Sequence, residues 1–230
     1  ELISAFHTLK TKGYKLVICT GRTVGSFKMT KIQDLIEWDA YILTNGATVF
    51  DHNFEAVSTL YLDPTFIQSV VNDTTSSILL EDEEMIVIHT PSENMLEFLD
   101  VHDIKVTEKD AYNNEVFPKL TIDNINLIKD GADNPLFKPY RYEINAYGMY
   151  EFMHAQGGKH NGIKIVNKMF NTTQATMFGD GTNDIEALQY VSYGVAMGNG
   201  KPEVHAAADY VTKSVSENGI VHALKEHGIL

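Results

Sequence analysis

Apolar residues recur at helical spacing at the start of the chain. The pattern predicts an amphipathic helix whose apolar positions are Leu2, Ile3, Phe6 and Leu9. Gly13 follows where the glycine that ends a helix commonly stands. The next apolar run, at 15–20, is too short for a helix and predicts a buried strand.

This alternation of short apolar runs and helical patterns continues on both sides of a long middle segment. We predict further strands at 40–44, 175–178, 193–197 and 210–211. We predict helices at 27–38, 162–170, 184–190 and 202–208, with a last one ending at Lys225. Short buried strands separated by helices imply a parallel sheet covered on both faces, the α/β class.

The middle segment, 51–154, has a different character. Its strand-like run at 85–89 and the run at 120–128 do not fit a βα repeat, and we interpret the segment as an inserted α+β domain. The predicted organisation is therefore a core domain formed by 1–50 and 155–230, interrupted by a second domain at 51–154. The acidic run at 81–84 is interpreted as a solvated turn and not as a metal site.

Composition and charge narrow the functional classes. With 43% apolar and 21% charged residues among 230, the chain is typical of globular proteins. A net charge of −13 argues against a nucleic-acid partner. Cys19 is the single cysteine, so no internal disulfide can form, and the chain shows neither a leader pattern nor an 18-residue apolar run. These features predict a cytoplasmic protein without a membrane partner; the oligomeric state is left open.

The most informative motif is Gly-Asp-Gly-Thr-Asn-Asp at 179–184, directly after an apolar strand. Ligands of open α/β sheets bind beyond the carboxyl ends of strands, where this motif falls. Asp180 and Asp184 would repel each other unless a cation lay near them, and hard carboxylate oxygens suit Mg²⁺. The alternative is that Asp184 only caps its helix, but so long a string after a buried strand favours the metal interpretation.

Two other segments could hold phosphate. At 20–22, Thr-Gly-Arg places a hydroxyl at a strand end beside the backbone N–H groups of the next turn, although Thr20 could also be an ordinary cap. Gly-Gly-Lys-His-Asn-Gly at 157–162 places Lys159 at the mouth of a helix, where its charge could neutralise a phosphoryl group. It is not a P-loop, because the glycine spacing fails and His160 stands where Ser or Thr is needed.

These segments, in this order and with a large insertion after the second strand, resemble the haloacid dehalogenase (HAD) superfamily, specifically the Cof-type phosphatases with a type IIB α+β cap. Thr-Gly-Arg at 20–22 resembles the second motif of that family, Lys159 the third, and 179–184 the fourth. Asn-Gly-Ala at 45–47 resembles the entry to the cap. The stretches at 197–200 and 218–220 resemble recurrent parts of the C-terminal third.

The resemblance implies a Rossmann-like parallel-sheet core and Mg²⁺-dependent hydrolysis of small phosphorylated metabolites such as sugar phosphates. It implies that Thr20 and Lys159 bind the transferring phosphoryl group. Asp180 would ligate Mg²⁺, with Asp184 supporting the metal shell. The substrate-binding positions that it implies are Gly21, Arg22, Asn45, Gly46 and Asn183.

One departure from the family pattern concerns the nucleophile. The family's first motif, Asp-x-Asp-Gly-Thr, supplies the aspartate that forms an aspartyl-phosphate and a general acid and base. This chain contains no Asp-x-Asp. We expect the motif to precede Glu1, and the 230 residues alone to be inactive. Two alternatives share the remaining motifs: a catalytically inactive phosphate-binding or regulatory protein, and a sugar-phosphate mutase.

Overall fold

A computed structural model describes all 230 residues, and they divide into two compact units. Unit 1 comprises 1–20, 32–57 and 158–230, and unit 2 comprises 21–31 and 58–157. These bounds differ from the predicted division mainly at 21–31. Within unit 2, that segment is joined to the rest by a hydrogen bond of 2.9 Å from the Gly25 N–H to the Asp82 carbonyl.

The elements alternate along the chain. The helices are α1 (Leu2–Thr11), α2 (Val24–Met29), α3 (Pro64–Asp73), α4 (Glu93–Val101), α5 (Lys159–Met169), α6 (Ile185–Tyr190), α7 (Pro202–Ala206) and α8 (Gly219–Glu226). The strands are β1 (Val17–Cys19), β2 (Ala40–Leu43), β3 (Thr48–Asp51), β4 (Ala56–Thr59), β5 (Ile78–Glu81), β6 (Met85–Ile88), β7 (Thr107–Lys109), β8 (Lys119–Ile122), β9 (Tyr140–Ile144), β10 (Tyr150–His154), β11 (Thr176–Gly179), β12 (Tyr193–Ala196) and β13 (Tyr210–Val211). No helix has the length and apolarity needed to cross a membrane.

Unit 1 contains two sheets, and its boundary with unit 2 falls within β4, the last strand of the first sheet. The first has the order β1-β2-β3-β4, with β1 parallel to β2, and β2 antiparallel to β3. The second has the order β11-β12-β13 and is parallel throughout. The α/β prediction is confirmed. The first sheet is mixed because only the tight turn at 44–46 separates β2 from β3, and a short connection joins antiparallel strands.

One apolar core links the sheets of unit 1 to α5 and α6. Its buried members are Ala40, Ile42, Val49, Ile163, Val166, Met177, Ala187, Leu188, Ala196 and Val204. Gly162 allows α5 to lie close to β2, since a Cβ there would be 2.4 Å from the Ile42 Cγ2. This packing places the N-terminus of α5, where Lys159 stands, beside the end of β2.

The predicted helix at 27–38 is wrong. α2 covers only Val24–Met29, and a short 3₁₀ turn follows at Ile32–Asp34. Between them Lys31 has a φ of 55°, a left-handed conformation that interrupts a right-handed helix. Apolar periodicity continues through this break, so the pattern alone did not reveal it.

Unit 2 contains a six-stranded sheet of order β7-β6-β5-β8-β10-β9, in which only β6 and β7 pair in parallel. Strand residues alternate between its faces. Ile78 and Leu80 pack with α3, whereas Leu79 and Val87 pack with α4. The predicted α+β character of the segment is therefore present in this unit.

A buried ionic cluster lies on this sheet and corrects one sequence interpretation. Glu81, the first residue of the acidic run, ends β5 with 2% of its side chain exposed. The Lys119 Nζ lies 3.1 Å from the Glu81 Oε1 and 3.0 Å from the Glu151 Oε2. The Thr121 hydroxyl donates a further hydrogen bond of 2.7 Å to Glu81. Glu81 is thus a buried sheet residue, and only the residues that follow it form the turn.

Candidate active site

The loops after β1, β2 and β11 are joined by hydrogen bonds within unit 1. The Asn45 N–H donates to the Thr20 carbonyl at 3.1 Å, and the Thr20 N–H donates to the Ile42 carbonyl at 2.9 Å. The Asn183 Nδ2 donates to the Asn45 Oδ1 at 2.9 Å. Three of the predicted site residues therefore lie together at the strand ends, although they are far apart in the sequence.

The turn after β2 has an unusual backbone. Thr44, Asn45 and Gly46 have φ values of 53°, 48° and 86°. Left-handed conformations are costly for residues other than glycine, so surrounding contacts must hold this turn in place. The Gly158 N–H donates to the Asn45 carbonyl at 2.7 Å and supplies one such contact. The turn thereby fixes the side chain of Asn45 and the start of α5 together.

Lys159 and Asp184 form a buried ion pair. The Lys159 Nζ lies 2.6 Å from the Asp184 Oδ1, and the two side chains are 7% and 6% exposed. The Asp184 Oδ2 accepts hydrogen bonds from the Asp180 N–H at 3.0 Å and the Gly181 N–H at 2.9 Å. Both oxygens of Asp184 are thus occupied by protein donors. Its carboxylate fixes the ammonium group of Lys159 and the loop that begins at Asp180.

Asp180 has a different environment. Its side chain is exposed, and its Oδ2 accepts a hydrogen bond of 2.8 Å from the Asn199 Nδ2. Its Oδ1 accepts none. No group of three or more His, Cys, Asp or Glu side chains converges on one point. Asp180 still fits Mg²⁺, because this ion commonly takes one or two protein carboxylates and completes its shell with water and substrate phosphate oxygens.

The single cysteine lies next to the site but is not suited to attack phosphorus. Burial raises the pKa of the Cys19 thiol to about 12; the nearby charge of Lys159 acts in the opposite direction, and that of Asp184 raises the pKa further. The thiol is therefore neutral near pH 7, and the thiolate is the nucleophilic form. This chain does not supply a sulfur nucleophile at this position.

Most of the predicted site residues are thus brought together in unit 1: Thr20, Asn45, Gly46, Lys159, Asp180, Asn183 and Asp184. Gly21 and Arg22 group with unit 2, and their role remains a prediction. Asn199 contacts Asp180 directly, but sequence reasoning gave it no role. A Gly-Asn-Gly turn directly after a buried strand was the available signal.

Comparison with known proteins shows which proteins this chain resembles. The family model of haloacid dehalogenase-like hydrolases matches residues 1–224. YxeH of Bacillus subtilis (strain 168), a phosphatase by name, is 28% identical over 246 residues, covering 98% of this chain and 90% of YxeH. YcsE of the same organism, named a 5-amino-6-(5-phospho-D-ribitylamino)uracil phosphatase, is 26% identical over 231 residues, covering 98% of this chain and 86% of YcsE.

A solved structure gives the same result for the fold. The HAD subclass IIB sugar phosphatase BT4131 is 26% identical and matches with a TM-score of 0.84, over 99% of this chain and 91% of that chain. The span matched by the family model includes the strand ends, the Lys159–Asp184 pair and Asp180. The chain therefore belongs to the haloacid dehalogenase-like hydrolase family.

Proposed function

We propose that this protein is a Mg²⁺-dependent phosphatase of small phosphorylated metabolites, such as sugar phosphates. The observation that chiefly supports this proposal is the buried Lys159–Asp184 pair beside the exposed carboxylate of Asp180. A fixed ammonium group and an acidic cation ligand at the strand ends suit a phosphoryl group, whose transfer depends on positioning and charge neutralisation.

Each residue has a distinct part in this proposal. Lys159 neutralises charge on the transferring phosphoryl group, and Asp184 holds the ammonium group in place. Asp180 would hold Mg²⁺, which supplies charge neutralisation when bound. Thr20 and Asn183 supply polar groups at the strand ends that orient the phosphate, and Asn45 holds the Asn183 amide.

The nucleophile is proposed to be an aspartate outside these 230 residues, since the chain has no Asp-x-Asp and its one thiol is neutral. A carboxylate oxygen would form a bond to phosphorus while the ester P–O bond breaks, and the leaving alkoxide would take a proton from a general acid. Water would then attack phosphorus, break the bond to the aspartate and release inorganic phosphate.

We further propose that the segment 51–154 acts as the cap that selects the alcohol part of the ester. The sheet of unit 2, with helices on both faces, is a self-contained structure with its own apolar clusters. A domain with its own core can contact the leaving group while other residues bind the phosphate, and closure would exclude water.

The lack of an Asp-x-Asp sequence favours a second candidate function, ligand binding, for the 230 residues by themselves. Without a carboxylate nucleophile, the same site would bind a phosphorylated ligand and not turn it over. A sugar-phosphate mutase would use the same residues but return the phosphoryl group to another hydroxyl.

A panel of phosphate esters tests these functions, assayed with the full-length protein and with residues 1–230 alone. We expect inorganic phosphate release by the full-length protein, dependent on added Mg²⁺ and strongly reduced by Asp180→Asn. Residues 1–230 should release none. Product analysis identifies a mutase by an isomeric phosphate ester. Ligand binding without turnover by the full-length protein would contradict the phosphatase proposal and favour the binding protein.

A further inference from the structure

We propose that Asn199 is a positioning residue that determines which oxygen of Asp180 is available to a divalent cation. This inference rests on the proposed function, because it concerns the residue assigned there to Mg²⁺. Asn199 lies in the exposed turn after β12, and its Nδ2 donates to the Asp180 Oδ2 at 2.8 Å. The contact joins two loops that are 19 residues apart in the sequence.

The orientation of the Asn199 amide is set from its other end. The Asn199 Oδ1 accepts a hydrogen bond of 3.0 Å from the Val215 N–H. A backbone N–H can only donate, so it selects the carbonyl end of the amide and directs the NH₂ group to the opposite side, toward Asp180. A rotated amide would bring an acceptor against the carboxylate and a donor against the Val215 N–H.

The turn that carries Val215 is itself held in place. The Ser214 Oγ and N–H both donate to the Glu217 carboxylate, at 2.5 and 3.3 Å. The Gly219 N–H donates to the Ser214 carbonyl at 3.0 Å. Gly198 lies so close to this turn that a Cβ would be 2.8 Å from the Ser214 N. The Val215 N–H is therefore presented by a braced turn.

The consequence concerns the free carboxylate oxygens of the site. Asp184 has both oxygens engaged, by Lys159 and by two backbone N–H groups. With its Oδ2 held by Asn199, Asp180 keeps only its Oδ1 without a protein partner. A charge-assisted hydrogen bond from a braced amide limits rotation of this carboxylate. Groups that orient a ligand in this way commonly change metal affinity when they are removed.

The backbone of Val215 allows a test that leaves the site residues intact. Val215 is 64% exposed and begins a 3₁₀ turn, a position where proline is well tolerated. The preceding Ser214 has φ −65° and ψ 165°, which suits a residue before proline. Val215→Pro removes the N–H that orients the Asn199 amide. Val215→Ala truncates the same exposed side chain and keeps that N–H.

The measurements are Mg²⁺ affinity by titration calorimetry on the full-length protein, the Mg²⁺ concentration that gives half-maximal phosphatase activity, and the melting temperature. We expect Asn199→Ala to weaken Mg²⁺ binding by about 10–100-fold, the range for outer partners of metal ligands. Val215→Pro should weaken it in the same direction, and Val215→Ala should bind Mg²⁺ like the wild type.

Asp180→Asn separates the two proposals. If Asp180→Asn leaves Mg²⁺ binding unchanged, the metal assignment in the proposed function is wrong. If Asp180→Asn weakens binding while Asn199→Ala and Val215→Pro bind Mg²⁺ like Val215→Ala, only the role of Asn199 is refuted, and Asn199 is a loop support. Should Asn199→Ala fail to fold, Val215→Pro decides the question, because it changes no side chain of the site.

Discussion

Replacing Gly46 by alanine should damage the structure at the point where the turn after β2 meets the start of α5. A Cβ at this position would lie 2.2 Å from the Gly158 carbonyl oxygen and 3.1 Å from the Lys159 N. Both neighbours are backbone atoms, so no side-chain rotation can relieve the contact. The φ of +86° adds strain, because alanine disfavours left-handed conformations.

The cost follows from three contributions. A left-handed alanine costs about 1–2 kcal/mol. Overpacking against backbone costs about 1–3 kcal/mol. Alanine also lowers the conformational entropy of the unfolded chain, which offsets about 0.4–1 kcal/mol of this destabilisation. We therefore expect Gly46→Ala to lower the free energy of unfolding by about 1–5 kcal/mol.

Gly13→Ala is the matched control. Gly13 has a φ of +87°, and beyond its chain neighbours no atom lies within 4 Å of the point that a Cβ would occupy, so it carries the strain without the contact. The assay is urea unfolding followed by the fluorescence of Trp38, the only tryptophan, which lies in unit 1 with 8% exposure. Equal unfolding midpoints for Gly46→Ala and Gly13→Ala would refute the reasoning, since the close approach of Gly158 would then cost nothing.

Three further predictions concern the Lys159–Asp184 ion pair, the buried ionic cluster around Glu81 and the proposed cap. Lys159→Met should lower the free energy of unfolding by about 3–5 kcal/mol in the same urea assay, because Asp184 would be left as a buried carboxylate without its cation. Burial raises the pKa of Glu81 above its ordinary 4.5; the charge of Lys119 opposes this effect without cancelling it, and the carboxylate of Glu151 adds to it. The folded protein therefore retains a proton that the unfolded chain releases. Stability should therefore fall as pH rises from 4.5 through the raised pKa, and less so in Glu81→Gln, as measured by urea unfolding with circular dichroism. Exposed substitutions within 51–154 should change the ratio of kcat/KM between esters, whereas Thr20→Ala should lower kcat/KM for all esters alike, because only the phosphate is common to them.

Each of these has a control and a contradicting result. Lys15→Met removes a lysine that is 58% exposed, and an equal loss for Lys15 and Lys159 would contradict the buried-pair argument. Glu83→Gln changes a carboxylate that is 71% exposed, and a pH profile altered by Glu83→Gln but not by Glu81→Gln would show that Glu81 does not hold the proton. If Thr20→Ala changed the ranking of the esters while substitutions within 51–154 left it intact, the proposed roles of Thr20 and of that segment would be refuted.

The features that could be predicted are those recognised from residues close together in the sequence. Strand ends are visible as the point where an apolar run meets a polar motif, so Thr20 and Asp180 could be assigned to one edge. The helix behind Lys159 could also be predicted, because the glycines before it and its apolar face lie within about a dozen residues of one another. In the structure these residues lie in neighbouring loops of unit 1, and their roles stay predictions.

Two kinds of feature could not be predicted: backbone conformations that leave the hydrophobic pattern unchanged, and contacts between residues far apart in the sequence. The left-handed φ of Lys31 leaves the hydrophobic pattern unchanged, so the helix end was missed. Glu81 belongs to an acidic run that resembles a solvated turn, and only its pairing with Lys119 on another strand shows that it is buried. The orientation of Asn199 depends on one N–H of a turn 16 residues further along the chain.

The grouping of 21–31 with unit 2 means that the chain passes between the two units four times. On the ribosome, β1 and β2 are made early, but β11 to β13 follow only after the 100 residues of 58–157. At a synthesis rate of about 5–20 residues per second, that interval is roughly 5–20 s. During this interval the sheet of unit 2 can form, but Ile42 and its neighbours lack the residues of α5 that cover them in the folded protein. The apolar residues of unit 1 are therefore exposed to aggregation with other chains until α5 is made. The yield of folded protein in cells depends on the rate of this aggregation, which a measurement of equilibrium stability does not report.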